Sequence, residues 1–139
     1  LIGIVTVSVL LGALSPSRAS ATNRDELLFQ FQVALKTRDT PAIAACFSFE
    51  GVEQNTRTQV TKAIALMVSW KAHEVKTSER SKSGPLRMER GGSIYTLNGD
   101  WTFQIHVQDP QTGGGFVFPA GKAEDGRYAI LLSKPISAN

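Results

Sequence analysis

Apolar residues recur along this chain with two periods, one helical and one extended, and the change from the first to the second falls near His73. Between Asn23 and about Lys36, Leu27, Leu28, Phe31, Val33, Ala34 and Leu35 supply an apolar face near helical spacing. Asn23 is suited to cap that helix, and Asp25 and Glu26 suit the positive end of its dipole. Asp39 or Thr40 then caps a second, short helix running to about Phe47. Its Pro41 sits in the first turn, where a missing N–H costs nothing. The pair should close as a helical hairpin. Phe47 to Val52 fits a short strand or an irregular turn ending at Gly51. Asn55 or Thr56 caps a third helix through about Lys71, with Val60, Ala63, Ile64, Met67 and Val68 as its core stripe and Trp70 at its far end.

From His73 onward the alternation is every second residue. His73 to Arg80 is polar enough for an edge or half-solvated strand, and Leu86 to Glu89 for a second, short one before Gly91-Gly92. Ser93–Leu97, the turn Asn98-Gly99-Asp100 and Trp101–Gln108 read as a hairpin, because Asn-Gly adopts positive φ readily. In its second arm Trp101, Phe103, Ile105 and Val107 share one face, and Thr102, Gln104, His106 and Gln108 the other. Asp109 to Gly115 is a turn-forming loop. Phe116-Val117-Phe118 begins another strand that Pro119 weakens, Ala123 to Gly126 turns, and Tyr128 to Leu132 is a last, almost wholly apolar strand that should be central or covered. The expected fold class is α+β: three leading helices packed on a curved antiparallel sheet of four to five strands.

Two features ahead of the first helix alter the picture. Leu1 to Leu14 carry no charge, and Ala19-Ser20-Ala21 follows, which together form the layout of a secretory signal peptide over residues 1–21. Ser15, Pro16, Ser17 and Arg18 interrupt the apolar run short of the roughly 20 residues a membrane span needs. The expectation is therefore an exported protein, periplasmic or extracellular, with residues 22–139 as a single domain and no membrane attachment after cleavage. Cys46 is the single cysteine, so no internal disulfide forms, and its setting in Ile43 to Phe47 suits a buried thiol. The formal charge is +3, but the basic residues are scattered, and the densest stretch, Lys71 to Arg90, also holds Glu74, Glu79 and Glu89. Nucleic-acid binders concentrate their charge on one face, so a nucleic-acid partner is not expected.

Three passages resemble the NTF2-like superfamily, the cone-shaped α+β roll also called cystatin-like. Phe31 to Ile43 resembles the family's first helix, its x-Asp turn and the start of its second helix. Phe47 to Val52 sits where the family often has a short strand or turn, and Asp125-Gly126-Arg127-Tyr128-Ala129-Ile130 resembles the hairpin leading into its final strand. The resemblance spans nearly all of residues 24–134. It implies a pocket between the curved sheet and the helices, used by some members for isomerase or dehydratase chemistry and by others for binding or assembly, and so it leaves function open.

Candidate chemistry is sparse. Enzymatic relatives that move protons beside a carbonyl pair an Asp base with a Tyr or Asp donor, and the residues here that could serve are His106, Tyr95 and Asp100. His106 alternates with the apolar residues of its strand, so it points into a pocket only if the apolar face does not pack on the helices. His73, at a helix-to-strand junction, reads as a neighbour of a helix C-terminus. Two histidines, one cysteine and dispersed carboxylates never reach metal-ligand spacing, so neither a metal nor a cofactor is expected. Gly113-Gly114-Gly115 precedes a strand and not a helix, which removes the phosphate-cradling geometry. The favoured expectation is non-catalytic binding of a small apolar ligand or a protein partner. The alternatives are a pocket enzyme of the ketosteroid-isomerase or dehydratase type and a homodimeric assembly module.

Overall fold

Asn23 caps the first helix: its side-chain oxygen accepts from the Glu26 amide at 2.9 Å, and helix α1 follows over Arg24–Lys36. Glu26 returns the favour by accepting from the Thr22 amide at 3.0 Å, a reciprocal arrangement that satisfies two otherwise orphaned donors. The Thr22 hydroxyl also donates to that carboxylate and holds its pKa below the usual range. Asp39 caps helix α2 (Thr40–Ala45) by accepting from the Ala42 amide at 3.1 Å, with Pro41 in the first turn. Helix α3 covers Gln54–Ser69. Its cap is Glu53, two or three residues before the expected Asn55 or Thr56, and the Glu53 side chain makes no cap bond. The computed structural model describes residues 21–80 and 87–136. Most of the expected signal peptide, residues 1–20, lies outside the described residues, as does Leu86 of the expected short strand.

The chain is α+β, with seven strands in two antiparallel sheets among the described residues: β1 (Glu74–Glu79), β2 (Arg87–Arg90), β3 (Ser93–Leu97), β4 (Gly99–Gln108), β5 (Gly115–Ala123), β6 (Tyr128–Ile130) and β7 (Ser133–Pro135). One sheet runs β1-β4-β5-β6 and the other β2-β3-β7. This corrects the expectation of a single sheet of four to five strands. The expected hairpin across Asn98-Gly99 does not form either. β3 pairs with β2 and β7, whereas β4 pairs with β1 and β5, so the chain passes from one sheet to the other at Asn98.

The physical reason lies in what those two residues touch. Asn98 is fully buried; its side-chain amide donates to the carbonyls of Ser48 (2.8 Å) and Glu50 (3.2 Å), and its side-chain oxygen accepts from the Leu132 amide (2.9 Å). Gly99 has no room for a side chain: a Cβ there would lie 2.7 Å from the Lys122 carbonyl oxygen and 2.8 Å from the Ala123 Cα. Glycine here answers a close approach of backbones and not a hairpin turn. The apolar stretch Tyr128–Leu132 likewise splits. β6 ends at Ile130, at the edge of its sheet and not its centre, and the chain turns into β7 of the other sheet. A single parallel bridge between Phe47 and Ile130 covers that edge.

The main core lies between the helices and one face of the four-stranded sheet. Leu27, Phe31, Ala34 and Leu35 of α1, Ile43 of α2 and Val60, Ile64 and Met67 of α3 meet Phe103, Ile105, Val107, Ala120 and Ile130. Phe103, Ile105 and Val107 are each no more than 1% exposed, as their alternation along β4 predicts. An aromatic row closes the layer: Trp70 stacks on Phe116, Phe116 on Phe118, and Phe118 meets Phe47 edge-on at 5.3 Å. Trp101 leaves the expected register, because the β4–β5 pairing shifts between Trp101 and Phe103. It packs instead on a smaller cluster of Leu97, Ala123, Ala129 and Leu131 beneath the junction of the two sheets. Ala21 is buried in the main core, and its carbonyl accepts from the Tyr128 amide at 2.9 Å.

Candidate functional site

The three candidate catalytic side chains lie in three places. His106 sits on the face of β4 opposite Phe103, Ile105 and Val107, pointing away from the helices. Its Nε2 is 2.8 Å from Ser78 Oγ on β1, and the Gln104 side-chain amide donates to the same hydroxyl at 3.2 Å. With that amide occupying an acceptor position on Ser78, the hydroxyl is free to donate to a neutral imidazole. A nucleophilic serine needs more than this: a third group orienting the imidazole, donors aimed at an oxyanion, and a concave place for substrate. The neighbouring outward side chains, Lys76 and Val117 by register, provide none of these. Ser78–His106 therefore acts as a cross-strand hydrogen bond on an open sheet face.

Tyr95 belongs to the three-stranded sheet. Its hydroxyl donates to Glu53 Oε1 at 2.9 Å, and that bond to a carboxylate raises its pKa, the wrong direction for a proton donor at neutral pH. Asp100 is exposed at the start of β4. Six residues of extended chain, about 20 Å at the usual rise, separate it from His106. No two of these groups share a site.

His73 meets its expectation: at the end of α3 its Nε2 is 2.6 Å from the Met67 carbonyl, which can only accept, so the ring donates from Nε2. Cys46 is buried, and burial pushes its thiol up to about 12, with the nearby Arg127 charge opposing only in part. A thiol so held is inert as a nucleophile. Among the described residues no three His, Cys, Asp or Glu side chains gather as metal ligands, and no described helix is long and apolar enough to cross a membrane.

Three of the concave features formed by described residues are open surface depressions. One, of about 370 Å³, combines Arg57 and Arg127 with Glu50 and Asp125, and another, of about 430 Å³, combines Lys122 with Asp100 and Glu124. The third differs in charge. It is a cleft of about 310 Å³ between the end of α1 and the start of β1, with Lys36, Arg38, Lys71 and His73 around a floor of Leu35 and Val75, and no carboxylate lines it.

Arg38 in that cleft was missed as a candidate from sequence. It is the one described residue other than glycine with positive φ, at 54°. It occupies the left-handed position after α1, with its amide donating to Leu35 O (3.1 Å) and the Asp39 amide to Ala34 O (3.0 Å), a place where glycine is the usual residue. Its guanidinium donates from Nη2 to the Trp70 carbonyl (2.6 Å) and the Lys71 carbonyl (3.2 Å). The available signal was the run Lys36-Thr37-Arg38-Asp39, in which a helix must end without a glycine.

Compared with known proteins, the chain matches no protein-family model, no curated protein and no solved structure.

Proposed function

We propose that this chain is an exported NTF2-like α+β domain that works by binding, without catalysis, and that its main occupant is a protein partner. The observation that carries the reading is the filling of the layer where an NTF2-like pocket would lie. Phe31, Met67, Phe103, Ile105 and Phe47 are fully buried there, and no acid–base pair stands among them. A pocket enzyme needs an acid and a base converging on one cavity. Here Tyr95, Asp100 and His106 lie apart on two sheets. The same filling weighs against a small apolar ligand and in favour of a partner that docks on the surface.

Export is part of the proposal and rests on the uncharged run Leu1 to Leu14 and the Ala19-x-Ala21 site. Cleavage after Ala21 would remove one core methyl and the acceptor of the Tyr128 amide, so the processed chain would be somewhat less stable than one retaining Ala21. A homodimer is a second reading, favoured by β1, which among the described residues has a strand neighbour on one side only. Glu74, Lys76 and Glu79 along it oppose casual edge pairing.

Native mass spectrometry of the exported protein tests the reading. The expected result is a processed chain carrying no retained small molecule and no turnover of ketosteroid-type substrates. A stoichiometric apolar ligand, or turnover abolished by His106→Ala, would overturn it.

A further inference from the structure

We propose that the cleft formed by Lys36, Arg38, Lys71 and His73 is a binding site for a small oxyanion carrying two or more charges. The proposal stands on the cleft alone, apart from the reading of the domain as a docking module. Two observations converge on it. First, the lining carries three full positive charges and an imidazole with no carboxylate to balance them, whereas two other depressions formed by described residues mix the two signs.

Helix C-termini attract cations, and both α1 and α3 end here, which offers a purely structural reason for the basic residues. Magnitude decides the matter. Each helix end is equivalent to about half a negative charge, so two of them neutralise about one of the three. A net positive cleft remains, and an anion of higher charge gains more from it than a monovalent one.

Second, Arg38 in the lining is held where its backbone pays a penalty. A glycine after α1 would close the helix without strain, whereas an arginine at φ 54° carries a Cβ in the left-handed region that L side chains rarely adopt. The geometry shows what the side chain does in return. Nη2 is fixed on the Trp70 and Lys71 carbonyls, which orients the guanidinium plane and leaves Nη1 and Nε without a bond among the described residues. An oriented guanidinium edge is the preferred partner of phosphate or carboxylate oxygens. Lys36 and Lys71 are exposed and make no bond to other described side chains, so their ammonium groups can close on an anion at little cost to the fold. His73, donating from Nε2 to the Met67 carbonyl, is fixed in orientation within the lining. Leu35 and Val75 beneath limit hydration on one side and strengthen the field above them.

The test is titration of the whole protein with inorganic phosphate, and in a parallel arm with citrate, followed by amide NMR at ionic strength held constant with sodium chloride. The expected result is a saturable shift of amides from residues 35–39 and 70–75, with Lys36→Gln/Lys71→Gln binding at least tenfold more weakly. Both substitutions are exposed, and an unchanged circular dichroism spectrum and melting temperature establish that the variant is folded. Arg38→Lys, which keeps the charge but loses the fixed edge, should also weaken binding several-fold. Saturation by phosphate but not citrate would assign the site to phosphate groups, and the reverse to polycarboxylates. Non-saturable shifts matched by chloride, or equal binding by wild type and the double variant, would overturn the proposal.

Discussion

From Phe103 onward the two faces of β4 carry residues in alternation, yet they live in different physical worlds. Phe103, Ile105 and Val107 are closed off by three helices, while Gln104 and His106 on the reverse face remain half-exposed and bond to Ser78 across the strand gap. The inner face is where stability resides, and it is sealed with aliphatic and aromatic side chains. The outer face is polar and tolerant, and there His106, a candidate acid or base only if it lined a pocket, forms a rung between strands. One strand thus shows why a titratable residue near an apolar run is poor evidence of an active site: its neighbours in sequence point the other way.

This contrast can be broken by substitution. The largest effect is expected from Phe103→Ala, about 3–5 kcal/mol, since the ring is fully buried between helices and sheet. Chemical denaturation measures it, and a loss below 1 kcal/mol would mean the face is not core. Asn98→Ala comes next, at roughly 1–3 kcal/mol, because it leaves the Ser48 and Glu50 carbonyls and the Leu132 amide without their partner. Asn98→Asp should be no better in urea unfolding at neutral pH, since a carboxylate cannot donate to two carbonyls.

Cys46 supplies a pH test of the inner side. Its thiol is held at about 12 by burial, whereas the unfolded chain titrates near the ordinary thiol value of about 8.5. Above that value the unfolded state loses a proton that the folded state keeps. Stability therefore falls as pH rises, by about 1.4 kcal/mol per pH unit from this group until the folded thiol itself titrates. Lysines and tyrosines titrate in both proteins, so the difference between wild type and Cys46→Ala isolates the effect. The variant should show a flatter decline between pH 9 and 11, and parallel curves would refute burial of the thiol.

The smallest effect belongs to the outer face. His106→Ala should cost at most about 1 kcal/mol, the usual worth of one partly exposed hydrogen bond. A loss of several kcal/mol would place His106 in a buried network and reverse the comparison.

Local features were legible wherever local chemistry decides. The Asn23 and Asp39 caps, Pro41 at a helix start and the β4 alternation each act within a few residues, and each element forms where its signal lies. Asn98-Gly99 misled for the same reason. The dipeptide carries a strong local turn signal, but Asn98 is committed to Ser48, Glu50 and Leu132, far away in sequence. The basic cleft was invisible because Lys36 and Arg38 end one helix, and Lys71 and His73 follow another. Charges that look scattered along the chain converge only when α1 and α3 finish side by side.

Amphipathic period and cap chemistry dictated the three helices, the buried face of β4 and the outward turn of His106, because side-chain direction follows backbone geometry residue by residue. Folding in three dimensions alone decided that the strands divide between two sheets, that Gly99 serves a close crossing, and that four basic side chains share one cleft. Strand partnership and charge convergence depend on which distant segments pack together, and no short window of sequence contains that information.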